Sequence, residues 1–233
     1  MYEVGFTTED EDEPIAFARM DERIHKILEG VRNYTEETIL PGLSYQCYLS
    51  DSKENNFRYK IDPEYKGHRV QPKPRHYEVL KEYLIVEHGA KIAYGMEADD
   101  ALGIAQDKDL ESLTTVICSI DKDLSQIPGY HYSWPINRGG IEIRPEKFWI
   151  TNEDEGILFF WKQMLVGDTA DNIKGIKGIG KVGADKLLTS GMFEEELYDI
   201  VSSMYIDEDG DLSLERFHKN RQLLLILQHD KEG

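Results

Sequence analysis

Acidic side chains occur at four places along the chain where their types and spacing would suit metal-dependent chemistry. Three of the four groups directly follow short apolar runs that are typical of strands, and the fourth lies in a glycine-bounded turn. Acids at the carboxyl ends of neighbouring strands converge in one cleft. Like charges would oppose one another's ionisation there unless hard cations such as Mg²⁺ or Mn²⁺ bound the carboxylate oxygens. Two such ions could clamp a phosphodiester, activate a water and stabilise the departing oxygen. The residues are Asp51, Glu97, Asp99, Asp100, Asp121, Asp123, Asp168 and Asp171.

Each acidic group taken alone has a simpler structural explanation. The acids of EADD (97–100) stand between a strand and a helix, where carboxylates commonly cap the helix. Those of DKD (121–123) suit a solvated turn, and those of GDTADN (167–172) suit an Asx turn or a helix cap. Their joint occurrence, in this order and ahead of a glycine-rich segment, favours the metal site.

The glycine-rich segment is KGIKGIGKVGADKLL (174–188), and it leads into a predicted helix. Glycine lets backbone amides approach a phosphate closely. Ile176, Ile179 and Val182 alternate with the glycines and are predicted to anchor the segment in the core. A structural turn between helices is the simpler alternative to a helix-hairpin-helix that binds the duplex backbone without reading sequence. The residues that would contact DNA are Gly175, Lys177, Gly178, Gly180 and Lys181.

Composition indicates a soluble globular protein in a reducing compartment. Of the 233 residues 40% are hydrophobic, and no apolar run reaches the roughly 20 residues that a membrane helix needs. Cys47 and Cys118 lie in apolar runs and are interpreted as buried free thiols, which predicts a cytoplasmic location. The net charge of −18 opposes a nucleic-acid partner. Much of that charge is solvated acid at 9–13 and 207–211, and bound Mg²⁺ would reverse the sign locally, so net charge does not decide the matter.

The elements that must position the acids are predicted from hydrophobic periodicity. The pattern predicts an α/β region up to about residue 150 and helices separated by glycine turns after it. The late segments YHYSW and IEIRP are predicted to pair as strands around the turn residues NRGG. Helices are predicted over 14–38, 76–89 and 97–106, and strands over 45–50, 91–95 and 114–120.

Four stretches resemble the 5′-nuclease superfamily, which includes the 5′→3′ exonuclease domain of bacterial DNA polymerase I, flap endonucleases and phage 5′ exonucleases. The compact length is nearest to the phage enzymes. The resemblance implies a PIN-like α/β fold over 1–150, with a mostly parallel central sheet flanked by helices, and a helical DNA-binding domain with its helix-hairpin-helix at 174–188 over 151–233. The resembling stretches are SDSKENNFRYKIDPEYKGHR (50–69), GMEADDALG (95–103), ICSIDKDLSQI (117–127) and MLVGDTADNIKGIKGIGKVGADKLL (164–188).

The same resemblance implies an activity and its requirements. The eight acids would form a site for two Mg²⁺ or Mn²⁺ ions, and backbone carbonyls of the hairpin would bind K⁺. Lys66 and Arg69, in EYKGHR, would stand at the base of a helical arch near 53–76 and contact the scissile phosphate. The expected activity is 5′→3′ exonuclease or flap endonuclease cleavage in DNA replication, by a monomer in the host cytoplasm. Substrates would be 5′-ended DNA with a flap or single-strand junction, and RNA in RNA–DNA hybrids.

One departure from the family concerns the start of the chain. The family begins with a central strand ending in an aspartate, whereas Met1–Phe6 is similar to the segment that follows that strand. We therefore expect this polypeptide to lack that strand and its aspartate. This leaves two alternatives open: a DNA-binding protein that uses the same scaffold without catalysis, and a related metal-dependent ribonuclease or phosphatase.

Overall fold

A computed structural model describes residues 1–35, 43–69, 71–108, 110, 114–210 and 212–229. The helices in this described part are α1 (Tyr2–Thr7), α2 (Glu13–Tyr34), α3 (Phe57–Ile61), α4 (Tyr77–His88), α5 (Ala98–Lys108), α6 (Glu153–Val166), α7 (Lys181–Leu187), α8 (Glu194–Asp209) and α9 (Glu215–Leu224). The strands are β1 (Tyr48–Ser50), β2 (Lys91–Ala93), β3 (Val116–Cys118), β4 (Gly129–Ser133), β5 (Ile136–Arg138), β6 (Ile141–Arg144), β7 (Lys147–Thr151), β8 (Gly167–Asp168) and β9 (Ile173–Lys174). A 3₁₀ turn spans Asp123–Gln126.

The strands form four small sheets of mixed direction. β1 pairs with β2 in parallel, and β4 pairs in parallel with β3 and antiparallel with β7. β5 with β6, and β8 with β9, form antiparallel pairs. Among the described residues no backbone ladder joins the β1–β2 pair to the β3–β4–β7 sheet. The α/β class is therefore confirmed, but a single mostly parallel central sheet is not.

The predicted pairing of YHYSW with IEIRP is wrong. IEIR, which is β6, pairs with β5, and YHYS within β4 lies between β3 and β7. The reason is local, because Gly139 and Gly140 both adopt positive φ angles, 58° and 79°, and close a tight hairpin between the adjacent strands. A nearby strand reached through such a turn costs less loop entropy to pair than a distant one.

The predicted helices are largely confirmed. The helix expected over 14–38 is α2, and residues 36–38 of that prediction lie outside the described part of the chain. The helix expected over 76–89 is α4. After residue 150, α6 begins with a capping box in which Asn152 and Glu155 each accept a hydrogen bond from the other's backbone amide. The division into two domains stays a prediction.

One hydrophobic core joins the N-terminal helices to β1. Ala16 and Met20 of α2 are buried together with Leu80 and Leu84 of α4, and Leu49 of β1 belongs to the same cluster. Burying a side chain of this size contributes roughly 1.5–3 kcal/mol. The first acid-presenting strand is thus held by α2 and α4.

A second core lies among the C-terminal helices. Trp161 and Met164 of α6 pack in one cluster with Tyr205 of α8 and Phe217 of α9. Tyr65, from the loop after α3, is only 1% exposed and belongs to the same cluster. The loop that carries the predicted cations is therefore anchored to the helical region.

The segment expected to form an arch, 53–76, contains the five-residue α3 followed by turns in its described residues. The arch itself stays a prediction. No helix of the described chain is long and apolar enough to cross a membrane.

Candidate active site

Six of the eight predicted acids line one cavity of about 290 Å³. The turn after β2 and the first turn of α5 carry the first two of them. The residues that follow β3 carry the next two, and β8 with its following turn carries the last two. Four basic side chains line the same cavity, namely Arg58, Lys66, Arg69 and Lys122. In chain order the lining acids are Glu97, Asp99, Asp121, Asp123, Asp168 and Asp171.

Asp51 lies outside the cavity and closes a turn. Its carboxylate accepts hydrogen bonds from the amides of Gly95 and Ser52, both at 2.7 Å, and its own amide donates to the Met96 carbonyl at 3.1 Å. The hydrogen bond from the Gly95 amide is the largest of the effects that lower the pKa of Asp51. The carboxylate therefore ties the end of β1 to the turn after β2.

Asp100 also lies outside the cavity, and it is completely buried. Its carboxylate pairs with the guanidinium of Arg58 through both oxygens, the longer contact being 2.9 Å. Successive residues of a helix point about 100° apart, so Asp99 faces the cavity while Asp100 faces the protein interior. The expectation that all eight acids face one cleft is not met at Asp51 and Asp100.

Lys66 and Arg69 lie against the acids, as their predicted place in the site requires. The Lys66 ammonium donates to Glu97 and lies 3.6 Å from Asp171. The Arg69 guanidinium donates to the other oxygen of Asp171 at 2.6 Å. Lys66 is mostly buried and Arg69 is half exposed. The two cations thus place positive charge on one wall of an otherwise acidic cavity.

Backbone contacts hold the loop of Lys66 against the loop of Asp171. The Lys66 amide donates to the Asp171 carbonyl at 3.0 Å, and the side chain of Asn172 donates to the Glu64 carbonyl at 2.9 Å. Lys66 and Asn172 both adopt left-handed φ angles, 53° and 63°, which cost lysine more than asparagine. The hydrogen bonds between the loops therefore hold Lys66 in a backbone conformation that it would not favour alone.

The cavity strongly disfavours some of its own negative charges. Burial, followed by repulsion from Asp121 and Glu97, raises the pKa of Asp99 from 3.8 to about 7. Burial, followed by the charge of Asp121, raises the pKa of Asp123 to about 6. Carboxyl groups at such positions keep their protons up to a higher pH than free carboxyl groups do, unless a cation replaces the proton.

The donor set suits hard divalent cations. All six acids offer carboxylate oxygens, and Oδ1 of Asp123 is buried without a hydrogen-bond partner. No three acidic, histidine or cysteine side chains of the described residues yet form a group that could hold an ion. The Lys66 ammonium lies between Glu97 and Asp171 and supplies the positive charge there. The residues fit a metal by their chemistry, and these ion pairs would have to open around it.

The glycine-rich segment is attached directly to the strand that carries Asp168. The Ile176 amide donates to the Leu165 carbonyl at 2.7 Å, and a Cβ on Gly175 would lie 2.3 Å from that same oxygen. Gly167 has a φ of 72°, and a Cβ on it would lie 2.3 Å from the Gly175 amide nitrogen. The backbones of Gly167 and Gly175 could therefore not approach so closely if either residue had a side chain. Val182 is 69% exposed, so its predicted role as a core anchor is wrong. It is the second residue of the short α7, whose buried residue is Ala184 instead.

Three residues of the site were not predicted from the sequence. The Tyr65 hydroxyl donates to Glu97 or to Asp171, at 3.0 and 2.9 Å. Lys122 lies 3.6 Å from Asp123, and Arg58 holds Asp100. Tyr65 and Arg58 belong to the family-like stretch 50–69, but their roles depend on partners that are distant in sequence.

Comparison with known proteins gives relatives of one kind. No family model matches the chain. DNA polymerase I of Bacillus caldotenax is 31% identical over an alignment of 194 positions that covers 76% of this chain and 21% of the polymerase. A 5′-3′ exonuclease of Buchnera aphidicola subsp. Schizaphis graminum is 30% identical over 185 residues, 76% of this chain and 60% of that protein. A flap endonuclease Xni of Shewanella baltica is 28% identical over 169 residues, 69% of this chain and 63% of that enzyme.

The fold also has a counterpart among solved structures. The T5 D15 protein, co-crystallised with metal ions, superposes with a TM-score of 0.54 at 17% identity, covering 88% of this chain and 80% of that one. This likeness is one of fold. The chain spans between 21% and 63% of the length of the three sequence relatives named above.

Proposed function

Because the chain belongs to the 5′-nuclease superfamily, we propose that it is a divalent-metal-dependent 5′→3′ exonuclease or flap endonuclease that hydrolyses DNA near 5′ ends. One observation carries the proposal: six carboxylates from three separate parts of the chain line a single cavity, opposed by Lys66 and Arg69. Six acids in a cavity of this size would be costly without bound cations, because each negative charge raises the pKa of the neighbouring carboxyl groups.

The acids of the cavity are the proposed metal-binding groups, and Mg²⁺ or Mn²⁺ are the ions that suit them. When bound, two such ions would supply an activated water and positive charge against the departing oxygen. Asp99 and Asp123, with raised pKa values, would lose their protons as the ions enter. Asp168 already uses one oxygen to accept the Ala170 amide at 2.7 Å, which fixes the direction of the other.

Lys66 and Arg69 are the proposed contacts to the scissile phosphate. In the metal-free site their charges are satisfied by Glu97 and Asp171. If those carboxylates held cations, the ammonium and the guanidinium would be available to donate to phosphate oxygens in the cavity. The Tyr65 hydroxyl lies within hydrogen-bond distance of both acids and would orient whichever of them accepts its proton, with or without the ions.

The glycine-rich segment is the proposed anchor for the duplex, in the manner of a helix-hairpin-helix. Lys177 and Lys181 would neutralise backbone phosphates, and Gly178 and Gly180, where a Cβ would meet nothing within 4 Å, would admit the strand closely. The missing side chain of Gly175 makes room for Leu165 and Gly167 instead. A K⁺ ion on backbone carbonyls of this segment belongs to the same proposal. The proposed division of labour is that the hairpin holds duplex DNA while the acidic cavity cuts the 5′ strand.

A labelled 5′-flap duplex incubated with Mg²⁺ or with EDTA tests the proposal. We expect cleavage with Mg²⁺, none with EDTA, and none with an Asp168→Ala variant. The matched control is Asp154→Ala, an exposed acid in the first turn of α6, which should cut like the parent. Binding without cleavage by the parent in Mg²⁺ would favour the alternative of a non-catalytic DNA-binding protein. The same assay on RNA–DNA hybrids that carry an RNA flap tests whether the protein cleaves DNA, RNA or both.

A further inference from the structure

Four of the six acids of the cavity follow two sheets that are not joined to each other. The β1–β2 pair leads into Glu97 and Asp99, and the β3–β4–β7 sheet leads into Asp121 and Asp123. In the described chain these sheets share no strand pairing. Something other than a backbone ladder must therefore set the separation between the two groups of acids.

The segment Leu223–Leu227 is bound to α3 and α5, which lie beside the β1–β2 pair, by the buried ion pair of Arg58 and Asp100. Arg58 of α3 donates from Nε to the Leu223 carbonyl at 2.9 Å and from Nη2 to the Leu225 carbonyl at 2.8 Å. Asp100 of α5 accepts from the Leu227 amide at 3.0 Å. A Cβ on Gly103, one turn further along α5, would lie 2.3 Å from the Leu227 carbonyl, so helix and segment are in direct contact.

The same segment is bound to the second sheet's side by one buried amide. Gln126, at the end of the 3₁₀ turn that begins with Asp123, donates to the Leu224 carbonyl at 2.9 Å. Its side-chain oxygen accepts from the Ile226 amide at 3.2 Å. Gln126 also donates to Gln163 of α6 at 2.9 Å, which fixes its orientation. Successive residues of the segment therefore alternate between anchors on the two sides.

The Asp100 carboxylate has no free capacity for a metal. A carboxylate offers about four lone-pair positions. Here Oδ1 accepts from Arg58 Nη2 and the Leu227 amide, and Oδ2 accepts from Arg58 Nη1 and the Glu97 amide. All four positions are occupied by protein donors, one of which is the backbone of a cavity acid. Asp100 thus holds Glu97 in place and does not compete with it for an ion.

We propose that the segment Leu223–Leu227 is a strap that sets the spacing of the two acid groups, with Arg58, Asp100 and Gln126 as positioning residues. The strap also forms part of the cavity wall through Leu223, Leu224 and Ile226. This inference rests on the proposed function, because the distance between the two acid groups matters only if metal ions bridge them. Side chains that orient metal ligands from behind typically change metal affinity about 10- to 100-fold when replaced.

The test measures Mn²⁺ binding by calorimetry and amide hydrogen exchange by mass spectrometry in Arg58→Met and Gln126→Met. We expect Mn²⁺ affinity to fall at least about tenfold in both variants. In metal-free protein, exchange should quicken at residues 95–103 and 119–126 together. The matched control is Arg19→Met, which removes an exposed cation paired with Glu22 and should change neither measurement.

The outcomes separate the strap from its alternatives. If Asp100 were a metal ligand, Arg58→Met would free its oxygens and Mn²⁺ would bind as tightly as in the parent or more tightly, which overturns the proposal. Should Arg58→Met fail to fold, the uncharged Gln126→Met variant decides by the same two readouts. Unchanged exchange and affinity in Gln126→Met would refute the strap. A parent that binds no Mn²⁺ would refute the proposed function, while the exchange data would still judge the strap.

Discussion

Replacing Asp99 with asparagine is expected to stabilise the metal-free protein at pH 8 and to leave its stability nearly unchanged at pH 4. Burial and the neighbouring acids raise the pKa of Asp99 from 3.8 to about 7. The folded state therefore holds this proton more tightly than the unfolded chain does, and stability falls as the pH rises between those two values. Asparagine carries no charge at either pH, so the variant lacks this loss.

The size of the effect follows from the shift in the pKa. Each unit is worth about 1.4 kcal/mol, so a shift of about three units corresponds to stabilisation on the order of 4 kcal/mol at pH 8. The assay is urea unfolding in EDTA at pH 4, 6 and 8. Asp154→Asn, an exposed acid outside the cavity, is the control and should show no such slope.

Adding Mg²⁺ at pH 8 should reverse the order of stabilities. The parent gains the free energy of ion binding, whereas the variant has one proposed ligand fewer and gains less. An Asp99→Asn protein less stable than the parent in EDTA at pH 8 would refute the assignment of a raised pKa to Asp99. A difference between the two proteins that is the same at pH 4 and pH 8 would refute it equally.

Three further predictions concern catalysis and binding. Asp121→Ala and Asp168→Ala should each slow Mg²⁺-dependent flap cleavage in single-turnover assays by more than about 100-fold, with unchanged DNA affinity in gel shifts. Lys66→Met should slow cleavage yet tighten Mn²⁺ binding in titrations, because it removes the cation that competes for the acids; weaker Mn²⁺ binding would contradict this. The double variant Lys177→Ala/Lys181→Ala should weaken duplex binding equally for all sequences. Its slope of log affinity against log salt should fall by about one for each phosphate that the variant no longer neutralises.

Local patterns were sufficient to predict most of the helices and five strands of the described chain, whereas β5, β7, β8 and β9 were not predicted. The helical periodicity of α2 and α4 is set within each segment, and both helices appear where it predicts them. Strand partners were harder, because pairing depends on which strands a turn can bring together. The two glycines after β5 favour a local hairpin because they adopt the positive φ angles of its two-residue turn, and no alternation of apolar residues reveals that in advance.

The acids were found because strand ends converge, but their individual directions were not predictable. Asp99 and Asp100 are adjacent in sequence and face opposite environments. What decides Asp100 is Arg58, 42 positions earlier, and the Leu227 amide, 127 positions later. Contacts over such separations leave no spacing in the sequence, so a structural acid and a cavity acid in EADD look alike before folding.

The close crossing of Gly167 and Gly175 has a consequence for the products of the proposed nuclease activity. With the two backbones in contact there, the loop that would grip duplex DNA and the strand that carries Asp168 cannot move independently. The distance between the proposed duplex-binding loop and the proposed cleavage site is then fixed. Fragments released from a given junction should accordingly be uniform in length. A larger side chain at position 175 should broaden the distribution of fragment lengths.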